Sequence, residues 1–305
     1  MDFWKEFEDD LYNQDRSENT IRSYLADLKH FVRWFEQTNG ETFTVESITP
    51  TDVREYRQFM LVTEEHKPST INRKLAALSA LMAWARKTGK IDHDPTENIR
   101  SIRLPSPMPR YLDKKEQNAL LRTIEKEIQI ARLRYRTRWI SHQRDGFLII
   151  LLLHTGLRIS EALSLKLSNI ELSERKGLVR VRQAKGITSR VVPLNATARK
   201  ALQDWLAVRP ETGIFLWTQV EKEPGSPLTS RTVQRILKRI GTAANLPHLT
   251  PHVLRHTFAK NLVDQGVGLE KVATLMGHAN LNTIRIYTTP SQKDLESAVE
   301  KMAEE

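Results

Sequence analysis

The chain has 305 residues, 39% of them hydrophobic, with no cysteine and a formal net charge of +10. That length accommodates two ordinary domains, and the apolar content excludes wholesale disorder. Lack of cysteine excludes disulfides, thiolate nucleophiles and cysteine-held zinc or iron–sulfur centres.

The longest apolar run, Phe147 to Leu153, falls far short of the ~20 residues that cross a membrane. The opening MDFWKEFEDD has neither a signal nor a transit pattern. The expectation is a soluble, cytoplasmic protein with no membrane partner. Charge is segregated along the chain. Residues 1–66 hold 7 basic and 15 acidic side chains, 67–104 hold 8 and 3, and 105–305 hold 32 and 19. A basic surface beside an acidic one suits a polyanion, most simply nucleic acid.

The first hundred residues read as helices. After Ser17, Ile21, Tyr24, Leu25, Leu28, Phe31, Val32 and Phe35 share one face at helical spacing. A second helix follows Thr49, with Pro50 in its first position and Val53, Tyr56 and Met60 inward. A third, from Ser69 to near Gly89, buries Ile71, Leu75, Leu78, Leu81, Met82 and Ala85. Pro105, Pro107 and Pro109 then make an extended, stiff strap. This gives a helical domain over 1–104, a linker over 105–111 and a second domain over 112–305. In the second domain helices dominate again. GLVRVRQ and SRVVPL form β-runs around a turn that holds Lys185 and Gly186, and IELSE adds a third strand. The fold class is therefore mainly α with one small antiparallel sheet.

Five places could carry chemistry. In HTGLRISEALSL, Gly156 ends a helix and Arg158 stands beside the free N–H groups of the next, with Glu161 one turn on; such an Arg is either an anion holder or a surface residue. Lys185 is either a wet hairpin Lys or a mobile proton donor. In LTPHVLRHTFAKNL, His252 and Arg255 lie three apart on one helical face. His252 and His256 have the spacing of a two-histidine metal site, but Val253 stands where a zinc peptidase helix has Glu. LMGHANLNTIRIYTTP puts His278 after a helix end at Gly277, with Tyr287 nine residues later. In TSRTVQRILKRI, Arg231, Arg235, Lys238 and Arg239 line the polar side of an amphipathic helix, a solvated face or a groove-reading one.

Taken in order, Arg158, Lys185, His252, Arg255, His278 and Tyr287 resemble the active-site series of the tyrosine recombinases, the family of lambda integrase, Cre and the Xer proteins. TGLRISEAL resembles the family's first-arginine motif, HVLRHTFAKNL its second box and LMGHANLNTIRIYT its third. NTIRSYLADLKHFVRWF and STINRKLAALSALMAWA are similar to its helical, SAM-like core-binding domain. The resemblance implies an all-helical core-binding domain followed by a mixed α/β catalytic domain of the DNA breaking–rejoining type.

It further implies attack by Tyr287 on a phosphodiester, giving a 3′-phosphotyrosine and a free 5′-hydroxyl without nucleotide, metal or other cofactor. Arg158, Arg255, His252 and His278 would stabilise the transition state, and Lys185 would protonate the leaving oxygen. His252 would help take the tyrosine proton, while Glu161 orients Arg158. Arg73, Lys74, Arg86 and Lys87 on the third helix, and Arg231, Arg235, Lys238 and Arg239, become candidate DNA contacts. The partner would be double-stranded DNA with specific sites, held by a monomer that forms a homotetramer on two sites. Integration, excision and resolution all fit. A type IB topoisomerase shares this chemistry but relaxes supercoils without exchanging partners. The segment EKEIQIARLRYRTRWISHQ, with Arg132, Arg134, Arg136 and Arg138, is longer than in compact members, a basic insertion facing DNA or a neighbouring subunit. The stripe Leu295, Ala298, Val299 and Met302 is expected to dock on the next subunit or on its own domain.

Overall fold

The computed structural model describes residues 3–14, 16–103, 109–182, 189–221, 223–277, 287 and 299. The chain divides into two compact units, Met1–Pro107 and Met108–Glu305.

Among the described residues the first unit holds four helices, α1 (Phe3–Asn13), α2 (Glu18–Asn39), α3 (Pro50–Val62) and α4 (Pro68–Lys87). Local chemistry sets their ends. The Ser17 hydroxyl accepts the Thr20 N–H, and Gly40 closes α2 at φ 71°. Thr49 and Asp52 form a reciprocal capping box around Pro50. α4 begins at Pro68, one residue before the expected start. Phe7, Phe31, Phe35, Tyr56, Leu78 and Leu81 are at most 1% exposed, and each such side chain contributes roughly 1.5–3 kcal/mol of burial.

The aromatic core surrounds a polar seam. The Tyr56 hydroxyl and Nδ1 of His30 are 2.7 Å apart, and Nε2 of His30 lies 2.9 Å from Glu64. Lys74 belongs to this interior. It is only 8% exposed, and burial lowers its ammonium pKa while Glu64 and Asp27 oppose that shift. This departs from the expectation that Lys74 meets DNA beside its neighbours. Arg73 is half-exposed and paired with the buried Asp27, while Arg86 and Lys87 are exposed.

Among its described residues the second unit contains α5 (Lys114–Arg134), α6 (Trp139–Thr155), α7 (Ile159–Ser164), a 3-10 turn (Leu167–Asn169), β1 (Ile170–Leu172), β2 (Gly177–Arg182), β3 (Ser189–Pro193), α8 (Ala196–Leu206), α9 (Ser230–Ala243), α10 (Pro251–Asp264) and α11 (Leu269–Met276). The strands form one antiparallel sheet in chain order, with Ile170 opposite Val179 and Val179 opposite Val192. Val179, Val181 and Val192 fill its buried face. α6 is the central helix, with Leu148, Ile149, Leu151, Leu152 and Leu153 at most 2% exposed, as expected for a helix apolar nearly all round. Mainly helical structure with one small sheet is the architecture expected from the sequence.

The basic stretch over 125–143 is not a free appendage. It is the second half of α5, a four-residue connection and the start of α6. Arg132 donates to Gln143 (2.5 Å) and covers the Trp139 ring at 5.2 Å. Arg138 lies 4.0 Å from the Glu221 carboxylate. Among the described residues no helix is long and apolar enough to cross a membrane.

Candidate active site

The site is assembled at helix ends. α6 stops at Gly156 (φ 61°), whose N–H returns to Leu152. A Cβ at Gly156 would stand 2.3 Å from the Phe258 ring, so only glycine lets α10 approach this turn. Leu157 is buried, and Arg158 caps α7. The Arg158 backbone N–H donates to Glu161 Oε2 (2.8 Å), and its Nη1 donates to Oε1 (3.0 Å). The side chain stays 41% exposed, which leaves it accessible from solvent.

α10 starts at Thr250, whose hydroxyl accepts the Val253 N–H, with Pro251 in the first helical position. His252 is exposed on this first turn, whereas Arg255 is 5% exposed. Arg255 donates from Nη1 to the Gly156 carbonyl (2.5 Å) and from Nη2 to the Met276 carbonyl (2.7 Å). Burial, then Arg158, lowers its pKa to about 10, so it remains cationic at neutral pH.

α11 supplies the meeting point. It ends at Gly277, φ 64°, leaving its last carbonyls without helical partners. Three guanidiniums take them in turn. Arg190 donates from Nε to Leu275 (2.9 Å), Arg255 to Met276, and Arg158 from Nη2 to Gly277 (3.3 Å). The negative end of the helix dipole favours this arrangement.

Arg190, on β3, was not singled out in the sequence. It is 10% exposed and grips Glu161 with both terminal nitrogens, Nη1 to Oε1 at 2.9 Å and Nη2 to Oε2 at 2.8 Å. Burial alone would raise the Glu161 pKa, but the bonds from Arg190 and Arg158 outweigh it and hold the carboxylate below its ordinary range. Glu161 therefore sits between two arginines as a fixed anion.

Tyr287 is 3% exposed and packs with Ala259, Val272, Ala273 and Met276. Its hydroxyl lies 2.5 Å from Nδ1 of His256. Burial raises the phenol pKa, and the nearby Arg255 charge opposes that shift. Sequence reasoning weighed His256 only as half of a metal pair. Its ring is tilted 6.5 Å from that of His252 and turned to the tyrosine. No group of three metal-ligating side chains occurs among the described residues.

Lys185, His278, Leu295, Ala298 and Met302 lie outside the described residues, and Val299 is exposed. The α9 cations are exposed as expected, over a core of Val233, Ile236, Leu237 and Ile240. Arg239 is committed within the unit, bonded to Glu127 and to Asp145 (3.0 Å).

Comparisons with known proteins give the family of the chain. Residues 110–294 match the model of the phage integrase family, and residues 4–89 match the phage integrase N-terminal SAM-like domain. The chain is 31% identical over 293 residues to tyrosine recombinase XerC of Corynebacterium glutamicum, covering 94% of this chain and 86% of the relative. It is 30% identical over 299 residues to tyrosine recombinase XerA of Pyrococcus furiosus, covering 97% and 92%. The crystal structure of XerH site-specific recombinase bound to a palindromic difH substrate superposes with TM-score 0.73 at 26% identity, covering 92% of this chain and 78% of that one. The chain belongs to the phage integrase family and is a tyrosine recombinase, an enzyme that breaks and rejoins DNA through a tyrosine.

Proposed function

We propose that Tyr287 is the nucleophile of a site-specific strand exchange, and that Arg158 and Arg255 hold the scissile phosphate. One observation carries the reading. Side chains from separate motifs, Arg158 and Glu161, Arg255, and Tyr287, converge around the C-terminal end of α11. Attack by the phenol oxygen adds charge to the non-bridging oxygens of the phosphorane. Paired N–H donors oppose that charge, from the buried Arg255 on one side and the solvent-accessible Arg158 on the other. Glu161 and Arg190 keep Arg158 in place. By the resemblance of their motifs, Lys185 would deliver a proton to the 5′-oxygen, and His252 and His278 would add further phosphate bonds. These cations supply the charge that a divalent metal supplies elsewhere, so the scheme needs no cofactor.

Residues 1–104 serve as the core-binding domain, 105–111 as the linker and 112–305 as the catalytic domain. Arg73, Arg86 and Lys87 in the first, with Arg231, Arg235 and Lys238 in the second, meet DNA phosphates. A homotetramer on two sites completes the exchange; the DNA-bound XerH neighbour supports DNA as the partner. A nicked suicide duplex bearing the target site tests the chemistry. The parent should form a covalent adduct in excess chelator, and Tyr287→Phe should bind the same duplex without forming one. An adduct with Tyr287→Phe, or chelator-sensitive cleavage restored by zinc, would refute the scheme.

A further inference from the structure

We propose that His256, rather than His252, is the base that takes the Tyr287 proton during attack; this rests on the reading of Tyr287 as nucleophile. The phenol oxygen lies 2.5 Å from Nδ1 of His256. In the tautomer with its proton on Nε2, Nδ1 accepts the phenol O–H along a short path for proton transfer. His252 stands one turn away on the exposed first turn of α10, with its ring 6.5 Å from that of His256.

The surroundings fit the role. To accept a proton the imidazole must be neutral, and burial, then the neighbouring His252 and Arg255, lower the His256 pKa below its ordinary 6.5. The phenol holds its proton until attack, because burial raises its pKa against the pull of Arg255. As the bond from phenol oxygen to phosphorus forms, the hydroxyl proton moves to Nδ1 and leaves an imidazolium. The bond from phosphorus to the 5′-oxygen breaks, and that oxygen takes a proton from Lys185. Rejoining reverses both transfers. Arg255 makes the imidazolium costly to keep, which favours return of the proton to the departing tyrosine.

The test is single-turnover cleavage of the nicked suicide duplex at saturating DNA, with His256→Asn and His256→Gln beside Tyr287→Phe. Each His256 variant should cleave about 10²-fold more slowly, the usual scale for a lost base, with DNA affinity unchanged. The defect should persist on a substrate whose 5′-bridging oxygen is sulfur, a substitution that should rescue Lys185→Ala. The parent's rate should fall on the acid side as His256 protonates, and His256→Asn should lack that limb. Parental or faster cleavage by His256→Asn would overturn the proposal and make the bond a latch on the resting tyrosine. Should the variants not fold, the parent alone gives the answer. The acid limb of its cleavage rate should follow the titration of the His256 Nδ1 nitrogen resonance, and a rate indifferent to that titration would overturn the proposal. An adduct formed by Tyr287→Phe would instead remove the nucleophile assignment, a distinct failure.

Discussion

Arg190 holds Glu161 by both carboxylate oxygens, joining a strand of the sheet to the first turn of α7. Both side chains are nearly excluded from water, so the pair is worth most as a geometric constraint. Removing one partner strands the other charge, typically at a cost of about 3–5 kcal/mol. Because Arg158 still pairs with Glu161, Arg190→Ala should fall at the lower end of that range, read by denaturant unfolding. At saturating DNA its single-turnover cleavage should drop at least about tenfold while affinity stays unchanged. Arg190→Lys cannot reproduce the two parallel bonds and should recover stability better than rate.

The end of α11 offers a second probe. A Cβ on Gly277 would lie 2.6 Å from Arg190 Nη1, on a backbone already at φ 64°. Gly266 has φ 77° but nothing within 4 Å of the added atom. Gly266→Ala should therefore cost only backbone strain, about 1 kcal/mol, while Gly277→Ala should cost more and also slow cleavage. Melting curves and adduct formation on the two variants make the comparison.

In the first unit, burial separates neighbouring cations. Arg86→Ala and Lys87→Ala should weaken DNA binding and flatten its salt dependence by about 0.9 per lost phosphate contact. Lys74→Met should leave that slope unchanged, because Lys74 faces Glu64 and Asp27 inside the domain. Binding titrations over a range of salt concentrations check both.

The depressed Glu161 pKa has a definite sign. A carboxyl that titrates below its ordinary 4.5 in the folded chain binds fewer protons there than when unfolded. Its contribution is complete above about 4.5 and fades as pH falls through the folded value. Melting temperature should thus decline less steeply below that pH in Glu161→Gln than in the parent.

Much of this was legible in the chain. Ser17, Thr49 with Pro50, Gly156 and Thr250 mark helix ends that the structure reproduces, and the strand runs at 177–182 and 189–193 pair as expected. The misses share a physical reason, since charged residue types hid positions that periodicity placed inward. Lys74 sits on the stripe of Ile71, Leu75 and Leu78, so its helical position pointed to the core. Arg190 shares the strand face of the buried Val192, while Val191 faces out. Ile124, Ile128 and Ala131 recur at helical spacing through what reads as a basic insertion. Phe3, Phe7 and Leu11 do the same in α1, beneath an acidic surface. His256 was harder to see. Only the fold brings the C-terminal tyrosine to it, and nothing in HVLRHTF distinguishes which histidine faces that partner.

The central claim is that Tyr287 becomes covalently joined to DNA in a site built from Arg158, Arg255 and the end of α11. The most direct measurement is to trap the adduct on a nicked suicide duplex, digest it with protease and nuclease, and locate the nucleotide-bearing peptide by mass spectrometry. The account predicts one modified peptide, spanning LNTIRIYTTPSQK or part of it, with the 3′-phosphate on Tyr287. Modification at any other tyrosine, or an adduct that survives Tyr287→Phe, would contradict it.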